Sequence, residues 1–143
     1  MAATEEAKEM AIVAARAAAE LKCTSLVAID VSQRLVLTDV FVVISGSSER
    51  QVRAIVDAVE EAVEKHGMPR LRREGLEGEA HWVLLDFGDI MVHVQQDEDR
   101  EYYALEKLWG DCPVLDLPDD IKCAPAEEES SLSRYFDFSD LGE

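Results

Sequence analysis

The sequence predicts an α/β domain in which helices pack on a mixed sheet of about five strands. Three observations lead to this class. The segment Asp39–Ser45 is nearly continuous in Val, Ile and Phe, as in a buried strand. A well-delimited amphipathic helix follows it from Ser48. The runs His81–Phe87 and Ile90–Gln95 alternate on either side of Gly88-Asp89, which predicts a hairpin.

The first element is a helix over Thr4–Lys22. This segment is rich in Ala and Glu, and Thr4 is placed to cap its N-terminus. Its apolar residues recur at helical spacing: Met10, Val13, Ala14, Ala17 and Leu21. Because most of this stripe is alanine, we expect the helix to lie close to the sheet.

Two strands follow the first helix. Leu26–Val31 is short and apolar, and the polar link Ser32-Gln33-Arg34 comes after it. The next strand, Asp39–Ser45, has the composition of a strand buried on both faces. We therefore expect helices on both faces of the sheet near this strand.

The second helix begins after Gly46-Ser47. Ser48 and Gln51 have the spacing of a capping box, and Gly67 and Pro69 end the helix. Its buried stripe consists of Val52, Ile55, Val56, Val59 and Val63. A further strand at Arg70–Glu74 completes a strand, helix, strand crossover, so part of the sheet should be parallel.

The hairpin should present two different faces if its loop holds an even number of residues. The predicted partners are Asp86 with Asp89, Leu85 with Ile90, Leu84 with Met91, Val83 with Val92, and Trp82 with His93. The core face carries Val83, Leu85, Ile90, Val92 and Val94. The other face carries Trp82, Leu84, Asp86, Asp89, Met91 and His93.

This second face mixes large apolar side chains with carboxylates and a histidine, which is typical of a protein-binding surface. The alternative is that a helix covers the face and Trp82 belongs to the core. An odd-length loop would exchange the two faces.

The C-terminal third of the chain divides into a helix and an acidic tail. Asp97–Trp109 is predicted to be helical, with acidic residues in its first turn and Gly110 after its end. Residues 111–143 contain ten acidic and two basic residues, a charge of −8, together with three prolines. We expect a domain over residues 1–110 and a largely disordered tail over residues 111–143.

Charge and composition exclude several classes of function. The net charge of −17 argues against nucleic acid as the main partner and favours a basic one. The odd number of cysteines, Cys23, Cys112 and Cys123, predicts reduced thiols. The N-terminus has acidic residues where a signal peptide has basic ones, and no apolar run approaches the roughly 20 residues of a membrane span. We expect a soluble intracellular protein.

Catalytic signals are weak. Gly46-Ser47 before a helix resembles the phosphate-binding start of a nucleotidyltransferase site, but no Asp-x-Asp pair follows on a strand. His81 and His93 should point to opposite faces, so no metal site is predicted. The only basic cluster, Arg70, Arg72 and Arg73 near Lys65, is typical of a charged strand edge, although it could contact RNA locally.

Taken together, these segments resemble the ribosomal silencing factor family, also called the Iojap-related family. The matching segments are Leu37-Thr38-Asp39, VFVVISGSSERQVRAI, Arg73-Glu74-Gly75, WVLLDFGD from Trp82, Val92-His93-Val94, Arg100, Tyr103, Leu105-Glu106 and Leu108-Trp109. The resemblance spans roughly residues 5–110 in order and spacing and leaves out the tail.

The resemblance implies a cytosolic, non-enzymatic translational repressor without cofactors and with a nucleotidyltransferase-like fold that lacks the catalytic acids. Members bind the large ribosomal subunit through its protein fourteen and block joining of the small subunit when nutrients are limited. Little direct RNA contact is expected, and the free protein could be a homodimer. The residues expected to contact the partner are Trp82, Leu84, Asp86, Asp89, Met91, His93, Arg100, Tyr103, Glu106 and Trp109.

Two other functions stay open on the sequence alone. One is an enzyme that binds nucleotides at Gly46-Ser47. The other is a homodimeric scaffold that uses the hairpin face to bind a second copy.

Overall fold

A computed structural model describes residues 3–78, 80–97 and 112–121. Within these ranges the chain forms two helices and five strands: α1 Glu5–Glu20, β1 Ser25–Asp30, β2 Val40–Gly46, α2 Glu49–Lys65, β3 Arg72–Glu74, β4 Trp82–Asp86 and β5 Ile90–Gln96. Each predicted element up to β5 is present, with ends shifted by one or two residues. The predicted helix Asp97–Trp109 lies outside the described residues apart from Asp97.

The five strands form one mixed sheet in the order β1-β2-β5-β4-β3. β2 and β5 are parallel, and the other neighbouring pairs are antiparallel. The predicted mixed sheet of five strands is confirmed. The crossover through α2 does not place β3 beside β2, because β5 and β4 occupy the positions between them.

Both helices begin at the predicted capping residues. Thr4 Oγ1 accepts a hydrogen bond from Ala7 N at 3.0 Å, and Ser48 Oγ accepts one from Gln51 N at 3.1 Å. Each bond satisfies one of the N–H groups that an α-helix leaves without an internal partner at its start. Neither helix in the described part of the chain combines the length and the apolar character of a membrane span.

The second half of the predicted capping box differs from expectation. Gln51 Oε1 accepts from Ser47 N at 2.6 Å, one residue before the cap. Gln51 Nε2 donates to the carbonyl oxygens of Leu21 and Lys22 at 2.9 and 3.0 Å. The Gln51 side chain therefore joins the start of α2 to the end of α1.

Both α1 and α2 pack on the same face of the sheet. The main core lies between them and the strands, and its fully buried members include Ala7, Ala14, Val42, Ile44, Val52, Ile55, Val83, Leu85, Ile90 and Val92. The small alanine side chains allow α1 to approach the sheet closely, as the sequence predicts. Every residue of β2 is buried, which confirms the prediction of a strand buried on both faces.

The N-terminus of α1 is held by two carboxylates from the end of the sheet. Ala3 N donates to Asp30 Oδ2 at 3.1 Å, and Thr4 N donates to Asp39 Oδ2 at 3.0 Å. Burial by itself would raise the pKa of Asp30, but hydrogen bonds from Ser32 and from Ala3 N–H outweigh it and lower that pKa.

Residues 112–121 lie along the outer edge of β1. Asp30 N donates to Pro113 O and Leu115 N donates to Ala28 O, both at 2.8 Å. An ion pair between Arg16 and Asp120 joins the segment to α1. The segment thus covers part of the β1 edge. The predicted domain boundary at residue 110 stays a prediction, but the first described part of the predicted tail has a fixed place on the sheet.

Candidate functional site

The sheet face opposite α1 and α2 carries five of the ten predicted partner-binding residues. We call it the open face, because neither of the two described helices lies on it. Strand pairing arranges its side chains in three rows across the sheet. The rows are Ser25, Ser45, Gln95 and Trp82; then Val27, Val43, His93, Leu84 and Glu74; then Ile29, Phe41, Met91, Asp86 and Arg72.

The hairpin confirms the predicted faces but not the predicted partners. The observed pairs are Trp82 with Gln95, Val83 with Val94, Leu84 with His93, Leu85 with Val92, and Asp86 with Met91. Each residue of β4 is therefore paired two positions further along β5 than predicted. A shift of two residues preserves the faces because side chains alternate with a period of two.

The turn explains this shift. Phe87 N donates to Ile90 O at 3.0 Å, which leaves Gly88 and Asp89 as a two-residue loop. Gly88 has φ +93°, as the first central residue of a type II′ turn requires. Asp86 Oδ1 accepts from Gly88 N at 2.9 Å, so this carboxylate also stabilises the turn.

A second apolar cluster lies on the open face. Its buried members are Ile29, Val31, Phe41, Val43 and Cys112, and its partly buried members are Val27, Leu35, Trp82 and Met91. Trp82, Leu84 and Met91 are all partly exposed. Neither α1 nor α2 covers these three side chains.

His93 lies between two aromatic side chains of this cluster. Trp82 Nε1 donates to His93 Nδ1 at 3.2 Å, and the Phe41 ring meets the imidazole edge-on with centroids 4.8 Å apart. Burial lowers the pKa of His93 from 6.5 to about 4. The imidazole is therefore neutral at pH 7, and its Nδ1 is the acceptor that orients the indole of Trp82.

Buried polar atoms without a described partner are concentrated in the same region. Ser45 Oγ, His93 Nε2 and both side-chain polar atoms of Gln95 have no hydrogen-bond partner among the described residues. Ser45 and Gln95 are neighbours across β2 and β5, and both are fully buried. Neither Ser45 nor Gln95 was singled out from the sequence. Each is a polar residue within a predicted strand that is otherwise mostly apolar, and that pattern could have identified them.

Gly75 helps to place Trp82. Its φ is +100°, and a Cβ atom at this position would lie 2.1 Å from Trp82 O. Only glycine permits so close an approach of the loop to β4. Gly75 of the Arg73-Glu74-Gly75 motif therefore has a structural role, because it positions the backbone of Trp82.

The predicted acidic contacts border the apolar residues. The Asp86 side chain is 18% exposed, and its Oδ2 is 3.9 Å from Arg72 Nη2. Asp89 is exposed in the hairpin turn. The structure thus brings together six of the predicted contact residues; Arg100, Tyr103, Glu106 and Trp109 lie outside the described part of the chain.

The basic cluster at β3 is paired with acids. Arg70 Nη1 and Arg73 Nη1 contact the Glu60 carboxylate of α2 at 2.7 and 3.1 Å. Arg72 Nε lies 3.3 Å from Glu74 Oε2. These carboxylates offset the positive charge that a phosphate backbone would need.

Gly46-Ser47 shows few features of a phosphate site. Ser47 N and Gln51 N, two amides that could hold a phosphate at the start of α2, already donate to Gln51 Oε1 and Ser48 Oγ. Among residues 3–78, 80–97 and 112–121, no group of three or more His, Cys, Asp or Glu side chains is placed to hold a metal ion.

Comparison with known proteins agrees with this fold. Residues 4–137 match the family described as "Ribosomal silencing factor during starvation", so the match extends beyond the predicted limit at residue 110. The Bacillus subtilis protein named ribosomal silencing factor RsfS is 37% identical over 110 residues, which cover 77% of this chain and 92% of the relative.

Two further relatives extend the comparison. A crystal structure of a Chromobacterium violaceum protein has a TM-score of 0.69 and 34% identity, covering 72% of this chain and 85% of that chain. A mouse protein named "Mitochondrial assembly of ribosomal large subunit protein 1" is 31% identical over 118 residues, covering 73% of this chain and 51% of the relative. The names of the Bacillus subtilis and mouse relatives both refer to the ribosome. The chain belongs to the ribosomal silencing factor family.

Proposed function

We propose that this protein represses translation by binding the large ribosomal subunit through ribosomal protein fourteen, so that the small subunit cannot join. The observation that carries the proposal is the partly exposed group Trp82, Leu84 and Met91 on a sheet face that neither described helix covers. A central apolar patch with a polar rim is the usual anatomy of a protein interface.

Charge supports a basic partner. The chain carries a net charge of −17, and Asp86 and Asp89 border the apolar patch. Ribosomal proteins that contact RNA need Lys and Arg, and such side chains can pair with these carboxylates at the rim of the interface. The name of the mouse relative, which refers to assembly of the large subunit, supports the same choice of subunit.

The mechanism we propose is steric and involves no catalysis. The bound domain occupies space that the small subunit needs, so occupancy alone represses translation in the cytoplasm. The family's description refers to starvation, which supports a role under nutrient limitation. The pairing of Arg70 and Arg73 with Glu60 supports a mainly protein interface with little RNA contact.

The test is a subunit-joining assay with isolated bacterial subunits. Purified protein should lower the fraction of joined ribosomes in proportion to its occupancy of the large subunit, and added salt should weaken binding because charges at the rim are screened. Unchanged joining at saturating protein would contradict the proposal. A calorimetric titration with a nucleoside triphosphate and magnesium should give no binding heat; measurable binding would support the nucleotide-binding alternative at Gly46-Ser47.

A further inference from the structure

The loop between β1 and β2 exposes two large apolar side chains. Val36 is 99% exposed and Leu37 is 83% exposed, the highest values among the large apolar residues that the structure describes. We propose that Val36 and Leu37 form a second apolar anchor for the basic ribosomal protein that the open face binds. This inference rests on the proposed function and adds a contact that the sequence did not predict.

Backbone hydrogen bonds join the two ends of the loop and hold its first residues. Val31 N donates to Asp39 O at 2.9 Å, and Arg34 N and Leu35 N both donate to Val31 O at 3.0 and 2.9 Å. Leu35 packs against the apolar cluster of the open face. These contacts restrict the part of the loop that precedes Val36, which lowers the entropic cost of association.

The loop that carries the two residues adjoins the proposed interface. Leu35 belongs to the same cluster as Trp82 and Met91. The hairpin turn adjoins the end of the loop, because Asp39 N and Val40 N donate to Asp89 O at 2.9 and 3.3 Å. Leu35 and Asp89 O therefore connect the loop to the strands that carry Trp82 and Met91.

Charge selects a basic protein as the occupant. A second copy would bring another net charge of −17 to the same surface, and an anionic membrane would also repel the chain. A basic surface with an apolar recess can bury Val36 and Leu37 and place a positive charge near the exposed carboxylate of Asp89.

The experiment measures binding of full-length variants to isolated large subunits by co-sedimentation at a fixed salt concentration. The double substitution Val36→Ser with Leu37→Ser should weaken binding about tenfold or more, since burying about half of the two side chains has that effect. Leu71→Ser is the matched control: Leu71 is 68% exposed at the same end of the sheet, three strand spacings from β2. The control should bind within about twofold of the unmodified chain.

Three results would overturn the inference. Unchanged binding of the double variant, while Trp82→Ala binds more weakly, would remove the second anchor and leave the proposed function intact. If Leu71→Ser weakened subunit binding as much as the double substitution does, the effect would come from losing any exposed apolar side chain and not from Val36 and Leu37 in particular. A change in the sedimentation coefficient of the free protein on double substitution would identify a second copy as the occupant. Failure of the unmodified protein to bind large subunits would instead remove the proposed function itself.

Discussion

The two faces of the sheet differ in how deeply their side chains are buried and in how their polar atoms are hydrogen-bonded. On the helix face, Val42, Ile44 and Leu85 are fully buried against α1 and α2. On the open face, Trp82, Leu84 and Met91 are partly exposed, and buried polar atoms of Ser45 and Gln95 have no described partner. Large apolar side chains that stay partly exposed add less to the stability of a fold than fully buried ones. The helix face therefore supplies the main core, and the open face is the one to which our proposal assigns recognition.

The largest expected effect is a difference in stability between substitutions at two neighbouring leucines of β4. Leu85→Ala on the helix face should lower the free energy of unfolding by about 2–5 kcal/mol, because Leu85 is fully buried and the substitution leaves a cavity. Leu84→Ala on the open face should cost less than half as much, because Leu84 is partly exposed. Urea unfolding of both variants measures the difference. Equal losses would contradict the division between the faces.

The second effect concerns pH. Because the pKa of His93 is about 4 in the folded chain and 6.5 is its ordinary value, protonation favours unfolding. Above pH 6.5 His93 is neutral in both the folded and the unfolded chain, and the free energy of unfolding has its full value. As the pH falls from 6.5 towards 4, the unfolded chain binds a proton at His93 and the folded chain does not. The free energy of unfolding then falls by about 3 kcal/mol.

The matched variant for this prediction is His93→Gln, whose amide oxygen can still accept from Trp82 Nε1. Urea unfolding between pH 7 and pH 4 should show a steeper loss for the unmodified chain than for the variant. The carboxylates of the chain titrate in both proteins, so their contribution cancels in the comparison. Identical pH profiles would contradict a buried neutral His93.

The third effect is on binding. Trp82→Ala should weaken binding to isolated large subunits by about 2 kcal/mol, as loss of a central aromatic anchor does. Co-sedimentation measures it, and urea unfolding of the same variant separates a binding loss from a folding loss. Trp82→Phe is the matched control, since it keeps apolar area but removes the hydrogen bond to His93. Binding of Trp82→Ala equal to that of the unmodified chain would exclude Trp82 as an anchor.

The smallest expected effect is on stability and concerns the N-terminal cap of α2. Ser48→Ala should lower the free energy of unfolding by about 1 kcal/mol, because Gln51 N loses its acceptor at the start of α2. Ser48→Asp, which keeps an acceptor, should restore most of this loss. Thermal unfolding measures both variants. Subunit binding should not change in either, and a binding loss in Ser48→Ala alone would connect the two faces.

Local patterns were sufficient to predict α1, α2 and the two hairpin faces. Thr4 and Ser48 cap their helices as expected because a capping bond joins residues only three positions apart. The alternation of β4 and β5 predicted which side chains share a face. The pairing of β4 with β5 was wrong by two residues, because the hydrophobic pattern is the same after a shift of two and only the turn at Gly88 distinguishes the alternatives.

Long-range contacts were beyond sequence reasoning. Gln51 reaches the carbonyl groups of Leu21 and Lys22, thirty and twenty-nine residues away. The loop at Gly75 approaches Trp82, and Val36 and Leu37 are left exposed beside the open face. None of these follows from periodicity, because each depends on where separate elements meet.

By itself the sequence determined the class of the fold, the residues that face the core, the strong negative charge and the family, because periodicity, composition and motif order are properties of the chain alone. Only the tertiary structure decided the strand order, in which β5 lies between β2 and β4. It also decided the neutral state of His93 beside Trp82 and the place of residues 112–121 along β1. These features require residues distant in sequence to come together, and that arrangement depends on packing the whole sheet against its helices.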